Sequence, residues 1–401
     1  MTPKKTQVAI IGGVIIGTSL AIALSRSGIE IVLVDRVKPE FILSSQYDGR
    51  ASAISFASLQ LLKSTEIWGE VAQAQPILDI RVSDSNSHLY LHYDHRLLGG
   101  EPFGMMVENR HLRLGLSMRA KKEGIETITG SITDLKICDH SATICLENGN
   151  QIEASLIIAA DGSKSTIRQL AKIGTRGWNY GQTGIVMTVK HEKPHLGIAH
   201  ERFFPSGPFA ILPLTENRSS LVWTEKSELV PKIMNLSQQN FQEELEYKFG
   251  SFLGKLTPLE PRWTYNLALQ QANKYVSKRL ALAGDSAHVM HPIAGQGLNL
   301  GFRDVAALAE TIVDANRIGL DVGSQFVLKR YQTWRRFDGV TLLAITDSLN
   351  RLFSNDIMSV RIARDLGLAT VDKITPLKKF FVNHARGTLG NLPKLLTGQN
   401  L

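Results

Sequence analysis

The run Leu282-Ala-Gly-Asp-Ser-Ala-His-Val-Met-His-Pro-Ile-Ala-Gly-Gln-Gly-Leu-Asn-Leu-Gly-Phe-Arg-Asp304 restricts the fold more than any other stretch. Arg279-Leu-Ala-Leu-Ala283 before and into it is short, apolar and strand-like. Gly284-Asp285 breaks the strand and leaves one carboxylate just past its end. His291-Pro292 sets a rigid bend, because proline fixes its own φ and biases its predecessor towards extended backbone. Gly295-Gln296-Gly297 is a turn poor in side chains. Beyond it Leu298, Leu300, Phe302, Val305, Leu308 and Ala309 recur at roughly helical spacing, which predicts a helix from near Gly297. A helix start exposes N–H groups and carries roughly half a positive charge, so it attracts anions. One acid, a stiff proline and a bare helix start suit a large ligand that gains electrons and carries a sugar-like chain. A flavin fits that description; an ordinary strand–turn–helix corner is the competing reading.

At 401 residues the chain is long enough for two or three domains with real cores. A hydrophobic fraction of 43% with 20% charged residues is that of a globular protein, and no apolar run is long enough to span a membrane. Cys138 and Cys145 flank an Asp139-His-Ser141 turn at unequal distances, so they fall out of register across a hairpin and no disulfide is expected. A reducing, cytoplasmic setting follows. The net charge of +8 comes without the basic–aromatic repeats or zinc spacings of a nucleic-acid binder. An anionic membrane surface or an anionic cofactor accounts for it as well.

The amino-terminal region reads as a βαβ unit. Val8-Ala-Ile-Ile11 leads to Gly12-Gly-Val-Ile-Ile-Gly17, then an apolar helix, then Gly28-Ile-Glu-Ile-Val-Leu-Val-Asp35. A charged start and an apolar run also suit a signal peptide, but no small-residue cleavage site follows. Asp35 lies about 20 residues past the glycines, where a carboxylate accepts from ribose hydroxyls. Gly12 and Gly17 hold the first and third places of the G-x-G-x-x-G fingerprint. The second, which lets backbone approach a pyrophosphate, is Val14.

Arg50 is expected to open a helix carrying Ile54, Phe56, Leu59 and Leu62, where it opposes the helix dipole and needs an anion or open solvent. Residues 77–93 suggest a strand pair, Glu108 to about Glu123 a helix, and 126–160 a meander of short strands. The last of these delivers Asp161-Gly162 into a helix with Arg168; Asp161 reads equally as a helix cap. From about Thr175 to Gln270 strands dominate, at 184–190, 199–204, 209–214 and 220–224, with one helix near 238–249. Phe203, Phe204, Phe209, Trp223, Trp263 and Tyr265 in this block line a pocket or, more commonly, a sheet core. The fold class is therefore α/β. A discontinuous Rossmann-like domain (1–75, 101–175, 271–340) carries an inserted β-rich domain (76–100, 176–270), and a helical region (341–401) follows. In residues 361–401 seven Lys/Arg face two Asp. This tail rests on an anionic bilayer or docks on the body with a solvated basic face.

Three separated elements occur in the order of one family: the βαβ start with its acid, Ala160-Asp161-Gly162 with Arg168, and Gly284-Asp285 through His291-Pro-Ile-Ala-Gly-Gln-Gly-Leu-Asn299. Together they resemble the class A FAD-dependent aromatic hydroxylases of the p-hydroxybenzoate hydroxylase fold. Tyr47-Asp-Gly-Arg-Ala-Ser-Ala53, Glu201-Arg-Phe-Phe-Pro-Ser-Gly-Pro-Phe-Ala-Ile-Leu-Pro213 and Asn217-Arg-Ser-Ser-Leu-Val-Trp223 extend the likeness. They look most like the ubiquinone-biosynthesis hydroxylases of the 2-polyprenyl-6-methoxyphenol hydroxylase type.

The resemblance implies FAD as cofactor, NAD(P)H or another donor as reductant, and molecular oxygen as co-substrate. Gly12, Gly13, Val14, Gly17, Asp35 and Arg36 would hold the adenosine half. Arg50, Arg110, Asp161 and Gly162 would lie along the pyrophosphate and ribityl chain, and Asp285 would bond a ribityl hydroxyl. Pro292 and Gly295 would border the reactive face of the ring, with His291 beside them as a catalytic candidate. The Gly297–Asn299 backbone, including Leu298, would meet the ring's carbonyl end. Val14 departs from the family pattern and bears on FAD affinity rather than fold. The implied reaction passes oxygen from a flavin C4a-hydroperoxide to a polyprenylated phenol. Partners would be that phenol, a membrane surface (the inner face of the cytoplasmic membrane) and a quinone-biosynthesis complex, with no nucleic acid. His288 and His291 lack a third ligand, so no metal is expected. A soluble small-phenol hydroxylase and a non-catalytic scaffold with weakened FAD binding are the alternatives.

Overall fold

The structure, a computed structural model, describes residues 2–44, 48–84, 90–291, 295–336, 339 and 375–401. Its first sheet is built around the strand Lys4–Ile11, whose Val8–Ile11 end is buried on both faces as central parallel strands are. The strand order is Val276–Ser277, Leu280–Leu282, Gln151–Ala159, Lys4–Ile11, Ile31–Asp35, Glu126–Thr129. From Leu280–Leu282 to Glu126–Thr129 all neighbours run parallel. The acids Asp35, Asp161 and Asp285 therefore follow the ends of parallel strands at one edge of the sheet, where open α/β sheets bind ligands. Helix Ile15–Ser25 crosses helix Gln296–Arg317 with Ile16 pressed into two glycines. A Cβ on Gly301 would lie 2.6 Å from Ile16 Cδ1, and one on Gly284 3.3 Å from the same side chain.

The second sheet takes the order His288–Val289, Leu256–Ala272, Thr175–His191, Arg218–Lys226, Gly207–Leu214, Ile198–Phe204, Asp79–Asp84, Tyr90–Asp94. One face buries Phe204, Phe209 and Trp223 against Phe241, Leu245 and Phe249 of helix Gln238–Phe249. Those aromatics are core rather than pocket. The other face carries Ile80, Val82, Ala199 and Leu212 and meets Val382 of the last helix, Thr375–Arg386. A small sheet, Ala51–Ser55 with Gly104–Glu108 and Gln75–Ile77, lies between the two large ones.

One expectation changes, one long strand is added, and the end of the chain takes one of its two expected forms. Arg50 does not open a helix: Ala51–Ser55 is a strand paired antiparallel with Gly104–Glu108, and the helix begins at Phe56, capped by the Ser55 hydroxyl. Partners about fifty residues away override the local helical spacing. Leu256–Ala272 is one long strand paired with Thr175–His191, although it contains Pro258 and Pro261. The end of the chain docks on the body. Leu395 and Leu396 are buried in the core of the first sheet's domain, Lys394 N–H donates to Glu310 at 2.8 Å, and Arg303 donates to the Gly387 carbonyl at 2.7 Å. The first part of the helical region expected at 341–401, residues 341–374, lies outside the described residues. Both cysteines are free.

Candidate active site

Strand Leu280–Leu282 ends in a short turn, Gly284–Ser286, that holds Asp285 at the sheet edge. The turn is fixed from three sides. Gly284 N–H donates to Asp304 Oδ2 at 2.9 Å, the Ser286 hydroxyl donates to the Ala159 carbonyl at 2.6 Å, and the Tyr331 hydroxyl donates to the Leu282 carbonyl at 2.7 Å. Asp304 is fully buried and ionised. Burial opposes its charge, but His288 at 2.6 Å and Arg335 at 2.8 Å outweigh it and lower its pKa. Asp285 itself opens onto the cleft while protein encloses its other sides. That enclosure raises its pKa, partly offset by His288 and Arg50.

The helix after this turn starts at Gln296 with Gly295 as its cap at φ +62, a conformation that favours glycine. No side chain caps it among the described residues, so its first amides remain available. Asn299 is turned inward. Its Oδ1 accepts the Ser55 N–H at 2.9 Å and its Nδ2 donates to the Ala53 carbonyl at 2.8 Å, tying the small sheet to the helix start. Gly297 and Leu298 follow Gly295 in the first turn, Leu298 packing on the core.

The turn from Gly12 to Gly17 is equally tight. Gly12 sits at φ +109, and a Cβ there would lie 2.3 Å from the Ala160 carbonyl oxygen. A Cβ on Gly17 would lie 1.8 Å from the Gly12 carbonyl oxygen. Gly13 N–H donates to Asp35 Oδ2 at 2.6 Å and Val37 N–H to Oδ1 at 2.8 Å, so Asp35 braces the glycine turn from the next strand. Arg36 is exposed beside it. Val14 caps the first helix at φ −93 and is half-buried against the core. Asp161, ahead of Gly162 at φ +83, accepts the Ile167 N–H at 3.2 Å through Oδ2. Its Oδ1 is buried without a partner among the described residues, and burial raises its pKa. Arg168 ties this loop to the Asp285 turn, donating to the Ser163 carbonyl at 2.7 Å and the Ser286 carbonyl at 2.8 Å.

Arg50 reaches the cleft from the loop before the small sheet. Its guanidinium lies 4.8 Å over the Tyr265 ring and donates to both oxygens of Asp48, at 2.9 and 3.1 Å. Asp48 also accepts from Asn109 at 2.9 Å and from Arg113 and Tyr265 at 3.3 Å each. Burial opposes its charge, yet Arg50 and Asn109 bring its pKa down to about 2. Arg110 is exposed and pairs with Glu108 at 3.2 Å. His291 is fully buried, its ring edge-on to Tyr180 at 5.1 Å, and presents no surface to the cleft. Pro292 lies outside the described residues. Sequence reasoning passed over Asp48, Asp304 and Arg335. Asp304 closes the very run first singled out, and Asp48 stands in the Tyr47-Asp-Gly-Arg50 motif as more than a turn residue.

A family model described as an FAD binding domain matches residues 5–336. The chain is 48% identical to the ubiquinone hydroxylase UbiL of Rhodospirillum rubrum, covering 98% of this chain and 93% of that protein. It is 36% identical to the 3-demethoxyubiquinol 3-hydroxylase of Escherichia coli, covering 96% of this chain and 100% of that one. In fold it matches the crystal structure of p-nitrophenol 4-monooxygenase PnpA from Pseudomonas putida, with a TM-score of 0.80 and 17% identity over 97% of this chain and 100% of that one. Fold and cleft thus define a protein of the FAD-binding class. The chain belongs to the family of FAD-dependent ubiquinone-biosynthesis hydroxylases. The residues present fit FAD: a glycine turn with no room for side chains, an uncapped helix start, the orphaned Asp161 oxygen and the open Asp285 carboxylate.

Proposed function

We propose that this protein hydroxylates the aromatic ring of a polyprenylated phenol on the route to ubiquinone. NAD(P)H or another donor would be the reductant and molecular oxygen the co-substrate. The observation that carries the reading is the end-to-end likeness to ubiquinone-pathway hydroxylases. FAD, when bound, supplies the electrons and activates the oxygen. In this reading Asp285 accepts from a ribityl hydroxyl, and Asp35 from the ribose. Arg50, Arg110, Asp161 and Gly162 border the pyrophosphate and ribityl chain. The amides of Gly297–Asn299 steady negative charge on the reduced ring, and Pro292 with Gly295 borders its reactive face. Closing the cleft against water protects the oxygen transfer.

The apolar sheet face opposite the helix start would receive the ring and the first part of the prenyl chain. Functionally, the first sheet's domain would hold the cofactor and the second sheet the substrate. A water-insoluble prenyl chain also places the protein at the inner face of the cytoplasmic membrane or in a quinone-biosynthesis complex. No described helix is long and apolar enough to cross a membrane. Because Val382, Leu395 and Leu396 are buried on the body, membrane contact there would rest on the basic side chains of 361–401. Deleting the gene should make one under-hydroxylated prenylphenol accumulate, and the wild-type gene but not Asp285→Ala should clear it. An unchanged quinone profile in the deletion strain would refute the reading.

A further inference from the structure

Strand register puts one acid in the middle of an apolar row. Directly paired residues of neighbouring strands share a sheet face. Glu201 pairs with Val82 on one side and Ala210 on the other; Val82 pairs with Leu91, and Ala210 with Val222. The row continues through Val186 to Trp263. Glu201 is its one ionisable member. This is the face that carries Val82, Ala199 and Leu212 in one cluster with Ala53. Ala53 in turn holds Asn299 through its carbonyl, and its Cβ lies 3.4 Å from where a Cβ on Gly295 would be. Glu201 thus lies on the apolar sheet face that borders the small sheet and, through Ala53, the helix start.

Nothing in the fold uses this carboxylate: it has no hydrogen-bond or ion partner among the described residues. Alternation sends its neighbours His200 and Arg202 to the opposite face, where Arg202 donates to the Lys248 and Phe249 carbonyls at 2.8 Å. By the same alternation the Glu201 face also carries Asp84, Tyr93, Lys190, Arg218, Lys226 and Tyr265, with Arg218 held by Glu108 at 3.3 Å. From the last helix come His384, beside Arg303, and Arg386, paired with Glu101 at 3.0 Å. An unpartnered acid half-buried among apolar neighbours is costly to keep, so a role for it is to be sought.

We propose that Glu201 holds the ring hydroxyl of the phenol substrate and takes its proton. The phenol O–H bond breaks, an O–H bond forms on the Glu201 carboxylate, and the electron pair stays on the phenolate oxygen, where it enriches the ring for attack by electrophilic oxygen. This rests on the proposed phenol hydroxylation. Burial supports it by raising the Glu201 pKa to about 8, much closer to a phenol's than an ordinary carboxylate's is.

The test uses the FAD-loaded protein, reduced with dithionite and mixed with oxygen and 2-prenylphenol, with hydroxylated product measured across pH. The wild type should gain rate as pH rises through about 8. Glu201→Gln should lose that limb and fall at least about a hundredfold in rate with FAD content and fold intact, and Glu201→Asp should restore part of both. In a binding assay the wild type should prefer 2-prenylphenol to 2-prenylanisole, and Glu201→Leu should lose that preference. A Glu201→Gln variant that keeps the limb and the rate, or a Glu201→Leu variant that keeps the preference, would overturn the assignment. A wild type that hydroxylates no phenol would overturn the proposed function instead, and this inference with it. Glu201→Gln is isosteric and breaks no ion pair, so it is expected to fold.

Discussion

Asn299 and Ser55 are joined across 244 positions of sequence: the Asn299 side-chain oxygen accepts the Ser55 backbone N–H at 2.9 Å. The same side chain returns its amide to the Ala53 carbonyl at 2.8 Å, so one residue in the first turn of a helix clamps a strand of the small sheet. Asn299→Ala would leave a buried donor and a buried acceptor unpaired. The expected loss is about 2–4 kcal/mol of stability, together with weaker FAD binding. Urea unfolding and FAD titration would measure the two effects.

Asp304→Asn removes the negative charge shared by His288 and Arg335. Breaking a buried pair from one side costs about 3–5 kcal/mol, because the remaining charge stays buried. In the wild type the Asp304 pKa is lowered by folding. Its contribution is therefore present above the unfolded carboxylate pKa and is lost as pH falls through the lowered folded value. Acid unfolding followed by circular dichroism should show an acid-sensitive component that the variant lacks.

Asp285→Ala should lose FAD through a missing hydrogen bond to a charged acceptor, worth about 1.5–3 kcal/mol, or about tenfold to a hundredfold in Kd. Because burial raises the Asp285 pKa, wild-type FAD affinity should begin to fall at a higher pH than an ordinary carboxylate would give. Equilibrium dialysis across pH reads both. Unchanged flavin content in the variant would misplace the cofactor.

Val14→Gly should bind FAD more tightly, because the second fingerprint position then allows close backbone approach. It should also melt lower, by about 1 kcal/mol or more, from lost core packing and added chain freedom. Val14 has φ −93, so the backbone does not itself require glycine there. Tighter binding with a lower melting point is the expected pair.

Glu201 bears on stability as well. Its pKa rises from 4.5 to about 8 on folding, so the folded state favours the protonated acid. That contribution is complete below the unfolded value and drains away as pH climbs towards about 8. Glu201→Gln should accordingly melt higher than the wild type at pH about 8 and show a flatter dependence on pH between about 5 and 8.

Much of this was legible because it is local. Gly12, Gly17 and Asp35 declare themselves by spacing, and Gly284-Asp285 by a strand followed at once by an acid. Ala51–Ser55 was misread because its state is decided by Gly104–Glu108, and no window around Arg50 contains that partner. Leu256–Ala272 hid behind two prolines that its pairing with Thr175–His191 accommodates. Asp48 and Asp304 look like ordinary surface acids until the fold brings Arg113 and Arg335 to them. The two readings of the tail stay open in sequence because the core that buries Leu395 and Leu396 lies far upstream.

The order of strands in the first sheet also has a bearing on biogenesis. Asp35 and Asp161 emerge early from the ribosome, but Leu280–Leu282, Asp285 and the amides after Gly295 come more than a hundred residues later. A nascent polypeptide shorter than this holds half a binding site and an unfinished sheet edge. Loading of the coloured prosthetic group is thereby delayed until residues 280–299 have been made, and products terminated before them should be colourless.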